Sequence, residues 1–127
     1  MTTSHQVLNV TVGESLRDAG ARAAATMRSI ARGEKMQPHF GINFEQIGQM
    51  LAAFTPKRWE LIATLREAGP LTIAQLARRL GRDYKNVHTD VNQLIGWMAV
   101  ARGDDGRVSV PWSEIVVDMK LPERAAA

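Results

Sequence analysis

The sequence predicts an α+β fold that is mainly helical, and three observations predict it. Residues 55–97 hold three runs of helical apolar periodicity, each bounded by capping residues. Residues 100–111 make two short extended runs across a glycine and aspartate turn. Near the two ends of the chain, Val7 to Val12 and Glu114 to Met119 alternate and are rich in β-branched side chains, so each is expected as a strand, and the two as pairing partners either within one chain or between protomers.

Gly13 closes the first strand, and Ser15 or Glu14 opens a helix running to about Ile30 or Arg32. Leu16, Ala19, Ala23, Met27 and Ile30 fall on one stripe, with Gly33 as the C′ residue. That narrow, alanine-rich stripe suits close packing, and strand and helix together make a candidate dimerisation arm. Residues 33–43, GEKMQPHFGIN, have no helical period and read as a linker or extended crossover. His39, with no second ligand near it, reads as a loop residue. Asn43 then caps a helix from Phe44 to about Phe54, whose Phe44, Ile47, Met50, Leu51 and Phe54 form a core-facing stripe.

Thr55 followed by Pro56 starts the next helix, because proline at the first helical position lacks only an N–H that would be orphaned anyway. Trp59, Ile62, Ala63 and Leu65 are its apolar positions, and Gly69-Pro70 stops it. Thr72 and Gln75 form a capping box for a second helix carrying Ile73, Leu76, Ala77 and Leu80, which ends at Gly81. Asp83 caps a third, with Tyr84 or Val87, then Val91, Leu94 and Ile95 facing inward. Two short helices across the tight Gly81-Arg82-Asp83 turn, after a longer supporting helix, form a helix-turn-helix, and the hairpin after it is the wing. The expected organisation is therefore an N-terminal strand–helix arm and linker over 1–43, a winged helix-turn-helix domain over 44–120 with the C-terminal strand, and a tail over 121–127.

On the third helix the inward set leaves Lys85, His88, Thr89 and Asn92 outward, with Arg82 and Tyr84 at its N-terminal end. These are side-chain types that read a groove: lysine reaches guanine acceptors or phosphate, asparagine pairs with adenine, and threonine offers a methyl to thymine. The candidate DNA-contacting set is Thr72, Arg78, Arg79, Arg82, Tyr84, Lys85, Asn86, His88, Thr89 and Asn92, with Arg102 and Arg107 flanking a wing tip that also carries Asp104 and Asp105. Residues 56–103 hold eight cations against four acids, so the basic excess coincides with the motif. A basic face matched to a motif is the electrostatic footprint of a phosphate binder.

The string Phe54-Thr55-Pro56-Lys57-Arg58-Trp59, then Gly69-Pro70-Leu71-Thr72-Ile73, then Leu80 through Val91 (LGRDYKNVHTDV) resembles a family of small prokaryotic winged-helix proteins described as predicted transcriptional regulators. These are related in fold to the multiple-antibiotic-resistance regulators, and some act as antitoxins beside a small toxin gene. The N-terminal strand and helix, the Gly33-Glu34 step and the stretch Pro111 to Asp118 are similar to that family as well. The sequence departs from its pattern at Ile95-Gly96-Trp97-Met98-Ala99-Val100, which replaces the more usual acidic-glycine turn into the wing. The resemblance implies a double-stranded DNA partner, a homodimer repressing its own operon, and, as the alternative, a toxin protein partner.

Length and composition set the outer bounds. At 127 residues the chain suffices for one domain with a core, or a small domain and an arm. It contains no cysteine, which excludes disulfides and thiolate metal sites, and the scattered His5, His39 and His88 make no convincing zinc cage. No cofactor is expected. No apolar run approaches the roughly 20 residues of a membrane span, and no charged n-region with an apolar h-region opens the chain, so a cytoplasmic location is expected. Nothing offers a nucleophile beside a base, a paired acid and base, or a glycine loop for phosphate, so an enzyme is not expected.

Overall fold

A computed structural model describes residues 6–13, 15–34 and 40–121. The order of elements is β1 (Val7–Val12), α1 (Leu16–Ala31), β2 (Phe40–Phe44), α2 (Ile47–Ala53), α3 (Pro56–Ala68), α4 (Ile73–Leu80), α5 (Tyr84–Gly96), β3 (Ala101–Arg102), β4 (Val108–Ser109) and β5 (Glu114–Met119). The fold is α+β and mainly helical, a winged helix-turn-helix built onto a small sheet.

That sheet has the order β2-β1-β5, and both pairings are parallel. The expected pairing of the terminal strands therefore occurs within one chain, with Val7 opposite Glu114 and Val12 opposite Met119. Alternation along β1 sends Leu8, Val10 and Val12 into the core and leaves Asn9 and Thr11 on the other face. The inward residues join Phe44, Phe54 and the buried positions of α3, α4 and α5 in a single hydrophobic cluster. The strand expected as part of an arm is thus the middle strand of the sheet that closes the helical core.

Between residues 33 and 54 one expectation is sharpened and another fails. The stretch expected as a linker or extended crossover contains the extended strand β2, which takes the second edge of β1, while its residues 35–39, His39 among them, lie outside the described residues. The helix expected from Phe44 begins only at Ile47. Asn43 is not its cap but a strand residue whose side-chain oxygen accepts from the Thr11 hydroxyl at 3.0 Å, and Phe44 is buried in β2 with its carbonyl accepting the Gly13 N–H. Strand pairing satisfies backbone groups that a first helical turn would leave orphaned, and Gln46 with Gln49 caps α2 instead. Over the shorter helix Met50, Ala53 and the following Phe54 are buried, whereas Ile47 and Leu51, expected in the core, are exposed.

The other helices keep their predicted ends. Ser15, Thr55, Thr72 and Asp83 each accept a backbone N–H at an N-cap, and Gly81 takes the left-handed conformation (φ 64°) that lets α4 end and α5 begin three residues later. In α3 the buried set is Leu61, Ile62 and Leu65; Leu61 was not anticipated, and Ala63 faces solvent. In α5, Val87 rather than Tyr84 opens the inward face. Along α1 the later part of the apolar stripe is not buried: Met27 is 71% and Ile30 60% exposed, and Ala23 is exposed beside them.

Candidate nucleic-acid interface

The side chains that can meet a nucleic acid stand on α5 because its opposite face is locked. Val87, Val91 and Leu94 are fully buried against the core, and helix geometry then forces Lys85, Asn86, Thr89 and Asn92 outward, all of them exposed, with His88 half-buried. Tyr84, also exposed, lies against His88 with ring centroids 5.9 Å apart. Beyond the tight turn, Arg78 and Arg79 are exposed in the last turn of α4, where cations suit the negative end of the helix dipole.

The structure divides these candidates by what already holds them. Thr89 donates its hydroxyl to the Lys85 carbonyl (3.1 Å). Asn92 accepts from Arg102 Nη2 (3.3 Å) through its side-chain oxygen, and its amide nitrogen meets His88 Nδ1 at 3.2 Å. A polar chain thus runs from the wing strand β3 along the outer face of α5, and both ends of the Asn92 amide are engaged inside the protein. Lys85 and Asn86 carry no such side-chain bond among the described residues. The Thr72 hydroxyl accepts the Gln75 N–H as the helix cap, so its place here is structural. On the wing tip Arg107 is exposed, 3.9 Å from an Asp105 oxygen.

Arg82, expected at the phosphate backbone, is held in a partly buried ion network. Its Nη2 lies 2.6 Å from Asp90 Oδ2, while the other Asp90 oxygen accepts from Arg58 Nε at 3.0 Å. Arg58 also donates through Nη1 to the Ala53 carbonyl (2.9 Å) and the Ala52 carbonyl (3.4 Å) at the end of α2. The side chains of Arg58, Asp90 and Arg82 are only 14%, 15% and 20% exposed. Burial by itself raises the Asp90 carboxyl, but the hydrogen bonds and charges of Arg82 and Arg58 outweigh it and hold the group below its ordinary value. Arg82 Nη1 is buried without a hydrogen-bond partner among the described residues. One aspartate on α5 thereby fixes that helix to α3, to the end of α2 and to the tight turn. Sequence reasoning missed Arg58; the available signal was Asp90, the one acid besides the Asp83 cap between Gly81 and Trp97.

The wing is set by the residues just after α5. With no glycine after α5, Met98 itself takes positive φ (67°), and its carbonyl accepts the Trp112 indole N–H at 2.8 Å. Trp112 packs edge-on to Phe40 (5.0 Å), and its carbonyl accepts from Arg66 Nε (2.8 Å), so the end of the wing is tied to α5, α3 and β2 together. The hairpin strands are only two residues each, extended by the pairing of Leu71 with Val108. No group of His, Cys, Asp and Glu able to hold a metal ion occurs among the described residues.

Helix-turn-helix, wing and a polar, partly cationic α5 face define a winged-helix domain. The family model HVO_A0114 matches residues 53–117, just over half of the chain, and the protein belongs to that family. Among solved structures it is similar to the multiple antibiotic-resistance repressor (MarR) from Listeria monocytogenes 4b F2365, at 16% identity and a TM-score of 0.42. That match covers 76% of this chain and 64% of the repressor, so this chain spans less than two thirds of it. No curated protein matches the chain. No helix among the described residues is long and apolar enough to cross a membrane.

Proposed function

We propose that this protein is a sequence-specific DNA-binding transcriptional regulator, a homodimer that represses its own operon in the cytoplasm by placing α5 in the major groove. The observation that carries the reading is the α5 face itself: Lys85, Asn86 and Thr89 exposed in a row, mounted on a helix whose other side is fully buried. In this reading Lys85 and Asn86 read base edges, the Thr89 methyl contacts thymine, and Arg78, Arg79 and Arg107 hold phosphates, which position without specifying. Arg82 acts by holding the turn.

The test is fluorescence anisotropy on the duplex upstream of the protein's own gene, against a shuffled duplex, over a salt series. Preference for the native duplex is expected. Replacing Arg78 and Arg79 by alanine should weaken both duplexes alike and lower the log–log salt slope by about 2, roughly 0.9 per lost phosphate contact. Lys85→Ala should erode the preference itself. Equal affinity for the two duplexes refutes the reading.

A second reading, an antitoxin that neutralises a toxin protein by direct binding and uses DNA only for autoregulation, is favoured by the exposed Met27 and Ile30 on α1. Co-expression with the product of the neighbouring reading frame decides it. Protection from toxicity that is lost on Met27→Arg, while DNA affinity is unchanged, supports the antitoxin; a harmless neighbour removes it.

A further inference from the structure

The homodimer in the proposed function needs a surface, and β5 carries one. It is an edge strand, with β1 as its partner among the described residues. Gly13 donates its N–H to Phe44, and Lys120 donates to Val12, so odd-numbered residues of β1 turn to β2 and even-numbered ones to β5. By the same alternation the even-numbered residues of β5 bond to β1, and the N–H and C=O groups of Ile115, Val117 and Met119 point to the open edge. A six-residue open edge is a template for another strand, and natural proteins usually blunt one with charge or proline. Here the charges of Glu114, Asp118 and Lys120 are interleaved with exposed Val116, Val117 and Met119, and Leu121 just beyond is 82% exposed.

We infer that β5 pairs antiparallel with β5 of a second copy about a two-fold axis at Val117, joining the two sheets into one of six strands. A two-fold axis perpendicular to the sheet keeps each face continuous, so only registers centred on a residue are open to it. Centring on Val116 sets Glu114 against Asp118 of the second copy, and centring on Asp118 sets that acid against itself; both are repulsive. Centring on Val117 sets Glu114 against Lys120, twice by symmetry, Ile115 against Met119 and Val116 against Asp118; centring on Met119 also makes an opposite-charge pair, Asp118 with Lys120, but leaves Ile115 and the start of the edge unpaired by any described residue.

The same register satisfies an independent feature at the other end of the edge. Between α3 and the start of β5 runs a groove of about 260 Å³ whose apolar lining includes Trp59, Ile62, Ala63, Trp112 and Ile115. With Met119 of the second copy opposite Ile115, that side chain lies over the groove, and Leu121 follows it to the Trp112 end. Each copy contributes one exposed apolar hook and one groove, which is the self-complementarity of an isologous contact. The dimer contact then belongs to the C-terminal strand and not to the 1–43 arm, and α1 stays open.

The chain has no cysteine, so a single introduced one reports the register without background. Residues paired across the axis stand about 5.5 Å apart at Cα, within the range a disulfide spans. In the full chain Val117→Cys should give a covalent dimer on mild oxidation, and Val116→Cys should not. In sedimentation equilibrium, Glu114→Lys and Lys120→Glu should each raise the dimer Kd about tenfold, and the double exchange should restore it. A wild-type dimer untouched by the single exchanges and not cross-linked at position 117 overturns this assignment and leaves the homodimer standing on another surface. A wild-type monomer at all concentrations overturns both. Cross-linking at 116 and not at 117 overturns the register.

Discussion

Asp90→Asn isolates the ion network that fixes the candidate groove helix. The substitution keeps the shape of the side chain and one carbonyl acceptor but removes the charge shared by Arg58 and Arg82, whose side chains are 14% and 20% exposed. Breaking one partner out of a buried pair typically costs about 3–5 kcal/mol, because the charges left behind are neither solvated nor paired. Here the residual exposure and the Ala52 and Ala53 carbonyls that still accept from Arg58 reduce that figure to about 2–3 kcal/mol. With a urea m-value near 1.5 kcal/mol/M, the midpoint of unfolding by circular dichroism should fall by about 1.3–2 M at neutral pH. Because the Asp90 carboxyl is held below its ordinary value in the fold, its stabilisation is complete above the unfolded value of 3.8 and is lost as pH falls through the lower folded value. Wild type and variant should therefore differ most at neutral pH and converge in acid below that window. A midpoint shift under about 0.4 M, or a difference that persists unchanged into acid, refutes the assignment of the network as the anchor of α5.

Other outcomes follow from single positions. Phe54→Ala removes a fully buried ring lying between Phe44 and the stacked Trp59 (centroids 6.3 Å and 5.0 Å), and should cost about 3–5 kcal/mol in the same urea assay. Gly81→Ala should cost about 1 kcal/mol: the added Cβ meets no atom within 4 Å, so only the left-handed backbone (φ 64°) is charged against it. Met98→Gly, at φ 67°, should move stability the opposite way by about 0.5 kcal/mol, since the half-exposed side chain gives up little. Thr72→Ala removes the cap hydroxyl that accepts from Gln75 and should cost about 1 kcal/mol, with a fall in thermal midpoint as the readout.

Where local chemistry decides structure, residues announced it. Thr55-Pro56, the Thr72–Gln75 box, Gly81 and Asp83 fix helix ends through groups within three or four residues of each other, so α3, α4 and α5 fall where their caps place them. The inward face of α5 follows from spacing alone, and with it the outward Lys85, Thr89 and Asn92, while His88, placed outward by the same spacing, is half-buried. Phe44 shows the reverse: its apolar spacing to Ile47 and Met50 fits a helix, but the free edge of β1, thirty-two positions earlier at Val12, takes it as a strand. No local pattern contains that competitor.

The sequence by itself determined the helix-turn-helix, the wing hairpin, the strand character of the two chain ends and the basic segment, because each rests on near-neighbour hydrogen bonds, periodicity or formal charge. The tertiary structure decided what depends on residues distant in the chain. It set the parallel order β2-β1-β5, with the N-terminal strand inside the shared core. It placed Arg82 2.6 Å from Asp90, which Arg58 holds from the other side, a contact between residues that no local pattern connects. Among the described residues it left Met27 and Ile30 of α1 and the outer edge of β5 exposed, since whether an apolar side chain is covered depends on what the fold brings opposite it.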